Sequence, residues 1–162
     1  MEYIRSLADE LEDGCFLCNY AANPDRDADN GIIWRTDTCL TTFNRFPYTN
    51  GHLLIAPLAH VAGLEDLDDD VLIDLMRQVR DAKKLLDATC SPHGFNIGMN
   101  LGRCAGAGLP GHLHIHIVPR WSGDSNFMPV LGDTRVISQS IEDLHHQMRD
   151  AANKLGLPAV CG

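Results

Sequence analysis

The heptamer His112-Leu113-His114-Ile115-His116-Ile117-Val118 alternates imidazoles with apolar side chains, and its reading decides the fold. On a β-strand, side chains return to the same face every second residue. The alternation predicts a strand over residues 112–118, with His112, His114 and His116 on one face and Leu113, Ile115 and Ile117 directed into a core. A single histidine on such a strand reads as a structural residue. Three at strict period two, with no other polar residue between them, read as a working surface. Imidazole is the side chain whose unperturbed pKa lies nearest neutrality, so this face offers nucleophilic, acid–base or metal-ligating nitrogens together.

Working outward, apolar β-branched runs bounded by turn residues predict four more strands, over residues 31–35, 39–44, 52–57 and 95–101. Thr36-Asp37-Thr38 suits a hairpin, and Pro47-Tyr48-Thr49-Asn50-Gly51 is a turn signal, so the first three strands are expected as antiparallel neighbours. Val71, Leu75, Val79, Ala82 and Leu86 recur at helical spacing and predict a long helix over residues 68–88, with Asp68, Asp69 and Asp70 at its positive end. Ser140-Ile141-Glu142-Asp143 reads as a capping box that opens a second helix reaching about residue 155. Residues 3–11 are amphipathic and suit a further short helix. The expected fold class is α+β: a five-stranded antiparallel meander with the long helix and the C-terminal helix on one face.

A chain of 162 residues is expected to form a single domain over residues 1–162, with its core over about 15–149. Apolar residues make up 44% of the chain, but no run approaches the roughly 20 needed to span a bilayer. The start, Met1-Glu2-Tyr3-Ile4-Arg5-Ser6, lacks the basic-then-apolar order of a secretory signal. With six cysteines and no such signal, reduced thiols and a cytoplasmic location are expected, with no membrane association. A net charge of −9 disfavours broad nucleic-acid binding, because no surplus of Lys and Arg displaces phosphate counterions. A small anion would have to be held by local donors.

Two further segments carry chemistry. Asn100-Leu101-Gly102-Arg103-Cys104-Ala105-Gly106-Ala107-Gly108 leads into the histidine strand, and its small residues let backbone N–H groups approach a ligand as an anion-binding nest. Beside three imidazoles, the loop suggests a phosphate held between backbone donors and rings. Cys15-x-x-Cys18 reads as half of a metal site, as a redox pair or as free thiols; the absence of a βαβ pattern around it weakens the redox reading. Cys39, Cys90, Cys104 and Cys161 lack ligand spacing. His52 is read as a structural hydrogen-bonding residue, His93, His145 and His146 as solvated or capping, and Trp121 and Phe127 as apolar packing.

The heptamer, together with Asn44-Arg45-Phe46-Pro47, the Gly51–Pro57 stretch, His60 and Asn100-x-Gly102, resembles the histidine triad superfamily of nucleotide hydrolases and transferases. The similarity runs over residues 15–149. Within it, Pro119-Arg120-Trp121-Ser122-Gly123-Asp124-Ser125-Asn126-Phe127-Met128-Pro129 is similar to the bacterial branch that splits diadenosine polyphosphates. The resemblance implies that His114 attacks an α-phosphorus and forms a nucleotidyl-imidazole, with inorganic phosphate or water as the acceptor. It implies that His116 donates to the phosphate oxygens, that Asn100 lies near the bridging oxygen, and that Asn44 binds ribose. Gly106, Ala107 and Gly108 would contact the phosphates. Where many relatives carry Ser or Gln, this chain has Ala107-Gly108, so the leaving group's donor lacks an obvious side chain; Arg103 is a candidate replacement. The resemblance also implies a structural zinc ion on Cys15, Cys18, His60 and His112, no organic cofactor, and a homodimer. Rival expectations are a purine nucleoside phosphoramidase of the same superfamily, a nucleotide-binding protein without turnover, and a catalytic metal on the three histidines.

Overall fold

The computed structural model describes residues 14–124, 139–158 and 161. The expected helix over residues 3–11, and Phe127, lie outside them. Five strands form one antiparallel sheet: β1 (Ile32–Arg35), β2 (Cys39–Phe43), β3 (Leu53–Pro57), β4 (Gly94–Met99) and β5 (Ile115–Arg120). Among the described residues three α-helices accompany it: α1 (Phe16–Ala22), α2 (Asp69–Cys90) and α3 (Ile141–Leu155). Among the described residues no helix is long and apolar enough to cross a membrane.

The first three strands are antiparallel neighbours as the short links require, but the order β1-β2-β3-β5-β4 breaks the expected meander. After α2 the chain returns at the sheet edge as β4, and β5 then folds back between β4 and β3. Composition explains the exchange. Ile115, Ile117 and Val118 give β5 side chains worth burying, whereas Asn96, Ile97 and Gly98 of β4 stay exposed.

One face of the sheet is apolar throughout. Ile33, Phe43, Leu53, Ile55, Leu113, Ile115 and Ile117 pack against Leu75, Val79 and Leu86 of α2 and Leu144 and Met148 of α3. A polar chain, buried at one end and half-buried at the other, fastens α2 to the first hairpin: Trp34 Nε1–H donates to Gln78 Oε1 (2.6 Å), Gln78 donates to Asp74, and Asp74 accepts from Thr36 and Thr38 (2.6 Å each). Ser140 opens α3 by accepting from the Asp143 N–H at 3.1 Å, which is one half of a capping box. The other face is not left bare, as the one-sided expectation had it. There α1 seats Leu17 against Ile32, Leu40, Ala56 and Leu109.

The turn before β3 needs glycine at residue 51. Its φ is +74°, and a Cβ there would lie 2.9 Å from Leu86 Cδ2. This close approach brings His52 to the start of β3, beside β5.

Candidate active site and metal centre

The histidine heptamer enters the ladder later than its alternation suggests. β5 starts at Ile115, and His112 and Leu113 are tied instead to the end of β3 and the segment after it. The Leu113 N–H donates to the Val61 carbonyl at 2.7 Å, and the His112 ring bonds to the Pro57 carbonyl at 2.9 Å. These bonds divide the three imidazoles between two sites.

The first site gathers Cys15, Cys18, His60 and His112, whose ligand atoms all lie within 4.8 Å of one another. Cys15 Sγ is 3.1 Å from His112 Nδ1, and Cys18 Sγ is 3.1 Å from His60 Nδ1 and 3.5 Å from His112 Nδ1. A tetrahedral ion with ligand bonds of roughly 2.0–2.3 Å separates its ligand atoms by about 3.3–3.8 Å, so the cluster is close to that size. His112 is also prepared for a cation. Its Nε2–H donates to the Pro57 carbonyl, which leaves Nδ1 bare and aimed at the sulfurs. Without an ion, burial and the adjacent Cys15 push the Cys18 thiol up to about 11, so binding a cation there releases protons.

The second site is an open cleft on the α1 side of the sheet, about 590 Å³ with the solvent at its mouth included, lined by His114, His116, Asn44, Asn100, Gly106 and Gly108. His114 is buried, and its Nδ1–H donates to the His112 carbonyl at 2.8 Å, leaving the Nε2 lone pair unprotonated. Burial lowers its pKa, and the His112 carbonyl offsets this only in part. The rings of His114 and His116 are 4.9 Å apart, edge to face.

His116 holds the opposite tautomer, and a residue away from the heptamer sets it. The Tyr48 N–H donates to His52 Nδ1 at 3.1 Å, so His52 carries its proton on Nε2. That Nε2–H donates to His116 Nδ1 at 3.0 Å, so the His116 proton sits on Nε2. His116 Nε2 is buried with no hydrogen-bond partner among the described residues, a donor waiting for an acceptor. Burial, with His114 next to it, pushes the His116 pKa down to about 4. Protonation at Nδ1 would also set two N–H groups against each other across the His52 contact.

The other expected site residues fall into place unevenly. Asn44 lines the cleft, but its Oδ1 accepts from the Phe46 N–H at 2.9 Å and its amide rests against the His52 ring at 3.3 Å. In the glycine-rich loop, three of the N–H groups that could form a nest turn back on the loop itself. The N–H groups of Ala105 and Ala107 bond back to the Gly102 carbonyl, and that of Gly106 to Arg103. A 3-10 turn over Arg103–Ala105, flanked by Gly102 and Gly106 at φ +82° and +87°, uses its own donors. Ala107 and Arg103 are not among the cleft residues; Arg45 is.

Phe16, Tyr20, Phe46, Tyr48, Leu54 and Leu109 complete the lining; Phe46, Tyr48 and Leu54 stand in quoted motifs, but none of the six is marked by the sequence as a site residue. The i, i+4 spacing of Phe16 and Tyr20 beside Cys15-x-x-Cys18 was the available signal. His145 is not solvated as expected. It is half-buried at 6.3 Å from the Phe43 ring, and burial lowers its pKa.

With this geometry in view, comparison with known proteins identifies its kin. The HIT domain family matches residues 25–123. The chain is 40% identical over 117 residues to the AP-4-A phosphorylase of Mycobacterium tuberculosis strain H37Rv, covering 72% of this chain and 60% of that protein's length. It is 34% identical over 93 residues to the asymmetrical bis(5'-nucleosyl)-tetraphosphatase of Schizosaccharomyces pombe, covering 57% of this chain and 50% of that one. Among solved structures, a Zn-bound histidine triad family protein from Mycobacterium smegmatis superposes with a TM-score of 0.71 at 24% identity, over 88% of this chain and 96% of the other. The chain belongs to the HIT domain family.

Proposed function

We propose that this protein splits dinucleoside polyphosphates, with diadenosine tetraphosphate as the leading substrate, through a covalent nucleotide on His114. One observation carries the reading. The His114 Nδ1–H is spent on the His112 carbonyl, so a neutral ring offers its Nε2 lone pair beside the unpartnered Nε2–H of His116. Its kinship with a phosphorylase and a tetraphosphatase of such dinucleotides supports the substrate class.

In the first step His114 Nε2 forms a bond to the α-phosphorus, and the bond from that phosphorus to the bridging oxygen breaks. The electron pair leaves with the polyphosphate. A terminal phosphate has a second pKa of about 6, so it departs as an anion and needs a hydrogen bond rather than a full proton. His116 Nε2–H supplies that bond, and Asn100 is proposed to position the bridge. With the Ala105, Gly106 and Ala107 N–H groups turned back on the loop, these side chains, with Arg45, are the proposed main donors to the phosphates. Asn44 binds ribose through the second lone pair of Oδ1, and Gly106 and Gly108 leave room for the chain of phosphates. In the second step a phosphate oxygen or water attacks the same phosphorus, and the bond to His114 breaks. Phosphate gives ADP and water gives AMP. The positive ring of the intermediate keeps its Nδ1–H on the His112 carbonyl throughout.

The Cys15, Cys18, His60 and His112 set is proposed to hold zinc. Four protein ligands fill the tetrahedron, so the ion would supply rigidity rather than an open coordination position. A homodimer that extends the sheet is proposed through edge strand β4, where Ile97 is 45% exposed; the far edge at β1 already pairs Ile33 with the Cys161 N–H.

Product analysis with diadenosine tetraphosphate tests the reaction. ATP plus ADP formed only with inorganic phosphate identifies phosphorolysis, and ATP plus AMP identifies hydrolysis. Turnover without a nucleotidyl adduct on His114 after rapid quenching would overturn the mechanism.

A further inference from the structure

The walls of the cleft are held with unequal strength. His114, His116 and Leu54 lie on or beside the central strands, fixed by the sheet. Phe16 and Tyr20 come from α1, which has only seven residues, no side-chain cap and no acidic residue in its first turn. A helix of under two turns does not persist by its own hydrogen bonds. Among the described residues its anchors are Leu17 in the core, with Phe16, Tyr20 and Ala21 packed against the same cluster, the bond from Arg35 Nη2 to the Tyr20 carbonyl (2.6 Å), and the sulfurs of Cys15 and Cys18. Leu17 seats the first turn in the core and Arg35 holds the helix end. Cys15 and Cys18, on either side of Phe16 and Leu17, give that turn a second hold in the metal set.

The same short segment therefore serves two sites. Cys15 and Cys18 reach His60 and His112, while Phe16 and Tyr20, four residues apart, reach the cleft as an edge-to-face pair 5.4 Å between centroids. With Leu54 and Leu109 they make an apolar wall, the surface that suits a flat heteroaromatic base rather than a phosphate.

We infer that metal binding at Cys15, Cys18, His60 and His112 is linked to recognition of the nucleotide base: the ion clamps the first turn of α1 and so fixes the Phe16–Tyr20 wall. The inference rests on the proposed nucleotide and zinc sites and adds a coupling between them. By linkage the effect is reciprocal, so the base tightens the metal by the factor with which the metal tightens the base. The His112 carbonyl offers a second route, through His114, which would act on the phosphate end instead.

The test measures AMP affinity by calorimetry on zinc-loaded and chelator-stripped full-length protein, with ribose 5-phosphate as a ligand that lacks the base. Stripping is expected to weaken AMP about tenfold, within the usual range of such couplings, and ribose 5-phosphate less than twofold. Zinc affinity, read by chelator competition, should rise by the same factor when AMP is saturating. In Phe16→Ala the factor should collapse toward one while one zinc per chain is retained. Equal AMP affinity with and without zinc overturns the coupling, and equal weakening of both ligands overturns the α1 route. If the stripped chain unfolds, the AMP-dependent gain in zinc affinity of the wild type against Phe16→Ala still decides. A protein that binds AMP but no zinc sinks the metal reading and the coupling with it; zinc without AMP sinks the nucleotide reading.

Discussion

His112 and His114 stand two residues apart in one alternating stretch, yet they face different chemistry. The difference lies in the partner of the second nitrogen. His112 gives its Nε2–H to the Pro57 carbonyl and turns Nδ1 to two sulfurs, whereas His114 gives its Nδ1–H to the His112 carbonyl and turns Nε2 to the cleft. His116 completes the contrast by accepting at Nδ1 from His52 and keeping a proton on Nε2. On the proposed reading, one hydrogen bond each is what suits three identical side chains to the parts of ligand, nucleophile and donor.

The largest effect expected is at the nucleophile. His114→Ala should lower turnover of diadenosine tetraphosphate by about three orders of magnitude or more, with an unchanged circular dichroism spectrum. Retention of most activity would erase the distinction between His114 and its neighbours.

The donor is one step removed, because its tautomer depends on His52. His52→Ala should lower kcat by roughly 30-fold with little change in KM, since it frees His116 to take either tautomer. His52→Gln keeps an N–H donor for His116 Nδ1 and should restore most of the rate. Equal losses in the two variants, matched by equal losses of Tm, would reduce His52 to a packing residue.

At the ligand end the contrast predicts stability before chemistry. The Cys15→Ser/Cys18→Ser double variant should lose bound zinc in elemental analysis and about 3 kcal/mol of stability, roughly 6–12 °C in Tm. Its kcat should fall less than about tenfold. A loss of rate as large as that of His114→Ala would mean that the two ends are not separable.

The smallest effect is in the pH dependence. His116 titrates near its ordinary value of 6.5 when unfolded and at about 4 when folded, so between these values the unfolded chain binds the extra proton. The His116 contribution to stability is therefore complete above pH 6.5 and is lost as pH falls toward 4. Denaturant midpoints at pH 7.0, about 5.5 and about 4.5 should show this slope in the wild type and a shallower one in His116→Gln.

Much of this was legible in the chain because it rests on periodicity. Alternation at Leu113, Ile115 and Ile117 placed the core side of β5, and the apolar stripe of α2 placed its buried face. The order of β4 and β5 was not legible, since pairing depends on which strand buries more apolar surface once both exist. The fourfold cluster was reached through ligand types and resemblance, not spacing alone. His52 reads as a structural hydrogen bonder, but its partner does not, because contact across 64 residues of chain follows from sheet register. The loop from Gly102 to Gly108 was legible only in part. Small residues permit a nest, and the N–H groups of Ala105, Gly106 and Ala107 bond to carbonyls of the loop's own turn.

The most direct measurement is the tautomeric state of each ring by long-range ¹H–¹⁵N NMR of histidine-labelled, zinc-loaded protein near pH 7. The account predicts His114 protonated on Nδ1, His116 on Nε2, and His112 on Nε2 with Nδ1 shifted by the metal. His114 carrying its proton on Nε2, or a His116 ring divided between tautomers, would contradict it.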